Sequence, residues 1–123
     1  MIKSASPTKN EKGFEAIFQN ENFKCAFITA AEQYAFGPVK QMKRHNKTDE
    51  IFVLMSGSAK MLTFENGIFT ETQLSENTAF NVTKGTWHYL AASDDAKIFV
   101  TENADTSAEN TEVLELDTPY LLF

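Results

Sequence analysis

Apolar and polar residues alternate along this chain in short runs that end at turn-forming residues. Alternation with a period of two is typical of β-strands, because successive side chains of a strand point to opposite faces. Residues 1–12 are polar and are predicted to be irregular, and residues 30–36 can form a helical turn before Gly37-Pro38. The predicted strands are 14–19, 23–29, 50–55, 59–65, 68–74, 78–83, 86–90, 96–101 and 112–117.

Two turns connect the strands in the middle of the chain. The run Ser56-Gly57-Ser58 is predicted to be a tight turn that pairs strand 51–55 with strand 59–64. Asn66-Gly67 is the strongest hairpin signal in the sequence, because both residues tolerate the positive φ of a type I′ turn. Many short strands and no long amphipathic helix predict an all-β fold, a jelly roll or small barrel.

The strand that begins at Glu50 has apolar residues on both faces. Phe52 and Leu54 share a face with Glu50, and Ile51 and Val53 lie on the other. A strand of this kind is predicted to be covered on both sides, as in a sandwich or barrel.

Composition narrows the class of protein. The 123 residues are most simply one domain, 1–123, and the net charge of −6 argues against a nucleic-acid surface. The single cysteine, Cys25, rules out an internal disulfide and suits a reducing compartment. No signal peptide or membrane-length apolar run appears. We therefore predict a soluble, cytoplasmic protein that binds neither membranes nor nucleic acid.

The candidate chemistry centres on the two histidines of the chain. Lys43 and His45 are two apart and would share one face of a strand, while Glu50 opens the next strand and His88 lies far downstream. Two imidazoles and a carboxylate at one point are a ligand set of Fe(II), Mn(II), Ni(II) and Zn(II) sites. The alternative is that both histidines are ordinary polar residues satisfied by hydrogen bonds.

Residues 37–92 resemble the cupin family in the spacing of two motifs. The first reads glycine, five residues, Lys-Arg-His, four residues, Glu, six residues, glycine, and the second ends Thr-Lys-Gly, two residues, His. The family's motif residues are matched here at Gly37, His45, Glu50, Gly57, Gly85 and His88. The departures are Lys43 in place of the first motif histidine, Thr83 in place of proline and Ala92 in place of asparagine.

The resemblance implies an all-β double-stranded β-helix, the cupin or jelly-roll barrel, with a central pocket. It places the metal ligands of the family at His45, Glu50 and His88, with Lys43 at the position of a fourth ligand. An ammonium group is a donor only and cannot ligate a metal without losing its proton. Lys43 therefore either points inward, where its charge opposes or replaces a cation, or extends to water and leaves a three-ligand site for Fe, Mn, Ni or Zn.

Two functional classes stay open at this stage. One is a metal-dependent enzyme acting on a small polar metabolite, and the other is a ligand-binding or sensing cupin without metal or activity. The predicted pocket residues are Lys43, His45, Glu50, Phe52 and His88, and Trp87 and Tyr89 either line the same pocket or simply pack in the core. Because cupins are commonly dimers, the resemblance also implies a homodimer, with the apolar strands at 14–29 as contributors.

Overall fold

The computed structural model describes residues 1–8 and 12–123, so the part of the predicted irregular lead-in at residues 9–11 lies outside the described residues. Residues 1–8 have no regular structure, as predicted. Short 3-10 helices occupy Glu32–Tyr34, inside the predicted helical turn, and Ala108–Asn110. The strands are β1 (Phe14–Gln19), β2 (Phe23–Thr29), β3 (Gly37–His45), β4 (Glu50–Ser56), β5 (Ala59–Glu65), β6 (Ile68–Gln73), β7 (Ala79–Val82), β8 (Trp87–Ala92), β9 (Lys97–Asn103) and β10 (Thr111–Leu122).

The strands form two antiparallel five-stranded sheets that face one another. The first has the order β1-β2-β9-β4-β7 and the second β10-β3-β8-β5-β6. The space between them is filled by buried apolar side chains from both sheets, including Ile28, Phe52, Leu54, Leu90 and Ile98. This arrangement confirms the predicted all-β double-stranded β-helix.

The predicted pairing of strands 51–55 and 59–64 is wrong. β4 pairs with β7 and β9 in the first sheet, whereas β5 pairs with β6 and β8 in the second. Residues 56–58 therefore carry the chain from one sheet to the other and do not form a hairpin. Gly57 makes this crossing with φ of 81°, so close to the chain at Ala96 that a Cβ would lie 2.6 Å from the Ala96 Cα.

The hairpin predicted at Asn66-Gly67 is confirmed. β5 and β6 pair in register up to Glu65 and Ile68, and the two turn residues have φ of 52° and 78°. Positive φ at both central positions is the backbone requirement of a type I′ turn.

A second apolar cluster lies on the outer face of the β10-β3-β8-β5-β6 sheet. Met42, Leu62 and Leu122 are fully buried there, beneath half-buried aromatic rings that include Trp87. The other sheet is more open on its outside. Ile51 on β4 is 37% exposed, so the prediction that β4 is covered on both sides is wrong for its outer face.

The largest differences from the predicted strands are in β3 and β10. β3 was absent from the predicted strands, although it carries Lys43 and His45. β10 begins one residue earlier than predicted and extends to Leu122. Among the described residues, no helix is long and apolar enough to cross a membrane.

Candidate metal and ligand site

Three side chains predicted from the sequence meet inside the barrel. His45 ends β3, Glu50 begins β4 and His88 lies in β8, so the two facing sheets both contribute. Glu50 Oε1 lies 3.4 Å from His45 Nε2 and 3.3 Å from His88 Nε2. One ligand atom from each of the three residues falls within 4.8 Å of the others. We call this group the triad.

Hydrogen bonds to the far side of each ring fix where the imidazole protons lie. His88 Nδ1 is 2.9 Å from the carbonyl oxygen of Thr86, which can only accept, so Nδ1 carries the proton. His45 Nδ1 is 2.9 Å from Thr111 Oγ1, and that hydroxyl donates its own proton to the Ser107 carbonyl at 2.7 Å. The Thr111 oxygen therefore accepts from His45 Nδ1. In the neutral rings both Nε2 atoms present lone pairs to Glu50.

This donor set fits a divalent metal ion. Two nitrogen lone pairs and a carboxylate oxygen repel one another at these distances unless a proton or a cation lies among them. Metal-bound histidines characteristically donate their second ring N–H to a carbonyl or other acceptor, as both rings do here. His45, Glu50 and His88 are the residues that would hold the ion.

The charge of Glu50 is favoured in spite of burial. Burial alone raises the pKa of this carboxyl group. The hydrogen bonds that His45 and His88 donate from Nε2 when their rings carry a second proton, together with one from Glu102, outweigh burial and lower the pKa well below the ordinary range. A carboxylate that stays ionised is the form that binds a cation.

Glu102 is a second buried carboxyl group at the site, and it was not predicted. It lies directly opposite Glu50 in the pairing of β4 with β9, and its Oε1 is 3.5 Å from Lys24 Nζ. Burial, the hydrogen bond to Glu50 and repulsion from its charge raise the pKa of Glu102 to about 8, against the pull of Lys24. Glu102 Oε2 is buried and has no hydrogen-bond partner among the described residues. With its pKa raised to about 8, Glu102 keeps a proton at neutral pH and donates it to Glu50.

Lys43 lines the same cavity but does not join the triad. It is opposite His88 in the pairing of β3 with β8, and it is exposed. Among the described residues it makes no hydrogen bond and no ion pair, and the ion pairs of Glu50 are with the two histidines. The ammonium group therefore does not take the place of a cation beside Glu50.

A cavity of about 520 Å³ opens over the triad. Of the predicted pocket residues, Lys43, His45, Glu50, Phe52 and His88 all line it, together with Phe14, Ile28, Glu32, Gln33, Tyr34, Gln41, Tyr89, Leu90 and Glu102. Apolar side chains, Phe14, Ile28, Phe52 and Leu90, form part of the wall, and polar or charged side chains line the rest with the two tyrosines.

Of the two remaining aromatic residues considered from the sequence, Tyr89 lines the cavity and Trp87 does not. The Tyr89 hydroxyl donates to the Ala35 carbonyl at 2.6 Å, which holds the ring against the cavity wall. Trp87 is not among the residues that line the cavity; it packs against the outer apolar cluster, with the guanidinium of Arg44 4.3 Å from the centre of its ring. The possibility that Trp87 lines the pocket is therefore wrong.

Two of the unpredicted groups left different signals in the sequence. Glu102 continues the inward alternation of Ile98 and Val100, so extending the predicted strand by one residue would have placed it in the barrel. Thr111 left no local signal, because its contact with His45 depends on the pairing of β10 with β3.

Comparison with known proteins finds similarity in structure but not in sequence families. No protein-family model and no curated protein matches the sequence. A cupin-2 domain containing protein from Shewanella frigidimarina NCIMB 400 is similar in structure, with 19% identity and a TM-score of 0.59 over 76% of this chain and 83% of that chain. An RmlC-like cupin protein from Desulfovibrio desulfuricans gives 18% identity and a TM-score of 0.59 over 85% and 98%. The WlaRB TDP-quinovose 3,4-ketoisomerase from Campylobacter jejuni is similar too, with 17% identity and a TM-score of 0.58 over 71% of this chain and 66% of that chain.

The two facing sheets and the open-ended cavity between them define a double-stranded β-helix protein with an internal pocket. The solved structures that share this architecture include cupins, and the chain has the cupin fold. At these identities the likeness concerns the fold, so the activity has to be argued from the site.

Proposed function

We propose that the protein is a metal-dependent cupin that binds a divalent transition metal through His45, Glu50 and His88 and holds a small polar metabolite beside it. The observation that carries the proposal is that the Nδ1–H groups of both histidines donate hydrogen bonds elsewhere. In the neutral rings this leaves two Nε2 lone pairs facing one carboxylate oxygen. Fe(II), Mn(II), Ni(II) and Zn(II) all accept two imidazoles and a carboxylate, and three protein ligands leave positions for water or a ligand.

When bound, the metal would polarise or oxidise a ligand held in the cavity. The protein's own contribution is to bind and enclose that ligand. The buried side chains of Ile28, Phe52 and Leu90 limit water on the inner walls, and a low-polarity wall strengthens each remaining polar contact. A cavity of about 520 Å³ is of the size that small-molecule sites have.

A ligand-binding or sensing protein without metal is the second candidate, and one observation favours it. Lys43 stands where the resemblance places a fourth ligand, and its ammonium group offers donors only. A cation on the same cavity wall weakens the attraction of the triad for a divalent ion. The fold does not decide between the metal-dependent enzyme and the metal-free binding protein. One similar structure is that of a ketoisomerase, but a shared fold does not imply a shared function.

The experiment is a measurement of metal binding. Protein freed of metal with a chelator would be titrated separately with Fe(II), Mn(II), Ni(II) and Zn(II) by calorimetry, and the retained metal measured by mass spectrometry after gel filtration. We expect one equivalent for the wild type. His88→Ala should weaken binding by more than the roughly 10–100-fold that outer-shell changes cost. Lys43→His should strengthen it, because it adds a fourth nitrogen ligand and removes a charge.

The matched control is Glu76→Gln, which removes an exposed carboxylate in the connection between β6 and β7 and should leave metal affinity unchanged. If the wild type retains no metal and Lys43→His gains one, Lys43 keeps the ion out, and the metal-free binding protein is the better account. If neither protein retains any of the four metals, the triad is a hydrogen-bonded cluster and the metal proposal is wrong.

A further inference from the structure

The part of the cavity wall that the structure describes has more acidic side chains than lysines or arginines, and its one lysine forms no ion pair with them. Its acidic groups are Glu50, Glu102 and Glu32, and its only lysine or arginine among the described residues is Lys43. Glu50 contacts both imidazoles, and Glu102 contacts Lys24, which does not line the cavity. Glu32 is exposed on the first 3-10 helix and lines the cavity. None of these carboxyl groups forms an ion pair with Lys43.

Lys43 is placed where a ligand would meet it. Its strand position puts it on the inward face of β3, two residues before His45 and directly opposite His88. The lysines that do have partners, Lys24 and Lys60, are held by Glu102 and Glu71 at 3.5 and 3.2 Å. Lys43 therefore adds a positive charge to the cavity wall, beside the triad, with no acceptor from the described part of the chain.

A second hydrogen-bond donor lines the same cavity. The side chain of Gln33 hydrogen-bonds to the phenol oxygen of Tyr34, and burial raises the pKa of this hydroxyl group, so it keeps its proton at neutral pH. No acceptor for the Tyr34 O–H is found among the described residues. Tyr89, in contrast, donates to the Ala35 carbonyl and is already satisfied. Lys43 and Tyr34 thus both offer donors to whatever fills the cavity.

We propose that the natural ligand of this cavity is a small organic carboxylate, with one oxyanion at the triad and a second acceptor group on Lys43 and Tyr34. The inference rests on the proposed function for its first contact and on Lys43 for its second. A charge-assisted hydrogen bond from an ammonium group favours a carboxylate over a neutral oxygen. In a partly apolar cavity this preference is larger than in water.

The test compares an acid with its uncharged analogue. Malonate and succinate, and malonamide and succinamide as neutral probes, would be titrated into the zinc-loaded and the metal-free protein by calorimetry, with the zinc content measured before and after. We expect the dicarboxylates to bind and the diamides to bind at least about tenfold more weakly. Lys43→Met should weaken dicarboxylate binding by roughly 10-fold or more, as the loss of a charged hydrogen bond does, and Lys43→Arg should restore most of it.

Lys40→Met is the matched control. Lys40 is exposed on the same strand, three residues away and hence on the opposite face, so the net charge changes equally while the cavity does not. Melting temperatures of all variants would establish that they fold. The proposal is overturned if no dicarboxylate binds in either metal state, if the diamides bind equally well, or if Lys43→Met and Lys40→Met behave alike. Failure of the metal proposal is a separate result, seen as absence of retained zinc, and Lys43-dependent binding to the metal-free protein would survive it.

Discussion

Glu102 and Glu50 are neighbouring carboxyl groups that differ in protonation at neutral pH. Both are buried and lie across adjacent strands, yet the pKa of Glu50 is lowered while that of Glu102 is raised to about 8. Two carboxylates at this separation cannot both ionise cheaply, so the proton stays on the one that has no imidazole partner. Glu102 then donates to Glu50, whose Oε1 faces both imidazoles.

The raised pKa of Glu102 has a consequence for stability that can be measured on the metal-free protein. Between pH 4.5 and about 8, the folded state keeps a proton on Glu102 that the unfolded state has already released. The free energy of unfolding should therefore decrease as pH rises through this window, by up to roughly 1.4 kcal/mol per pH unit. Glu102→Gln cannot ionise and should show a flatter profile from pH 5 to 8 in urea titrations.

Glu21→Gln serves as the control for that measurement, because it removes an exposed carboxylate in the turn between β1 and β2. It should follow the wild-type profile. Equal slopes for the wild type and Glu102→Gln would mean that Glu102 is ionised in the folded protein at neutral pH and that its pKa is not raised.

At the scale of elements, the crossing between β4 and β5 fixes how the two sheets are joined. Gly57 has both a positive φ and backbone atoms of residues 95 and 96 within 3 Å of where a Cβ would be. A side chain there is strained by its backbone conformation and also collides with main chain, which cannot rotate away as a side chain can. The crossing therefore depends on glycine more than a turn in open space does.

Gly57→Ala should lower the free energy of unfolding by more than the roughly 1–3 kcal/mol that a strained backbone conformation costs. Gly67→Ala is the matched control, since Gly67 has a similar φ of 78° and nothing within 4 Å of its added Cβ. The difference between the two variants, measured by urea unfolding, isolates the collision at Ala96. Equal losses would show that the chain at residues 95–96 shifts to admit the methyl group.

These two turns also show what the sequence can and cannot predict about the elements. Asn66-Gly67 specifies its own geometry, so the hairpin was predicted correctly. Ser56-Gly57-Ser58 has the same local character, yet whether its strands pair or part depends on which partners β4 and β5 find elsewhere. The triad was predictable because residue type and motif spacing identify it, whereas the contact between Thr111 and His45 joins residues 66 apart and has no local signature.

At the scale of the whole molecule, the homodimer stays a prediction, as does a cytoplasmic location. β1 is the edge strand of the first sheet, and Phe23 at the start of β2 is 47% exposed. An unpaired strand edge and exposed aromatic rings together favour association with a second copy. Light scattering at micromolar concentration should therefore give twice the chain mass of 13.8 kDa.

Phe23→Glu should shift that equilibrium toward monomer by at least about tenfold, because it places a charge in the apolar contact. Ile68→Glu is the control, since Ile68 is 65% exposed at the far hairpin of the other sheet and should leave the dimer intact. A wild type that is monomeric at micromolar concentration would contradict the prediction, and dissociation by Ile68→Glu alone would move the interface to the other sheet.

The hydrogen bond from His45 to Thr111 bears on the order in which the protein matures. A ribosome that has released the chain as far as His88 has already presented every residue of the triad. The ring of His45 still lacks the acceptor that fixes its proton, because that acceptor belongs to β10, which is synthesised later. The donor set is therefore organised only when β10 docks beside β3. Under the proposed metal binding, we expect the chain to acquire the ion late, as a folded barrel, so that the ion does not nucleate folding.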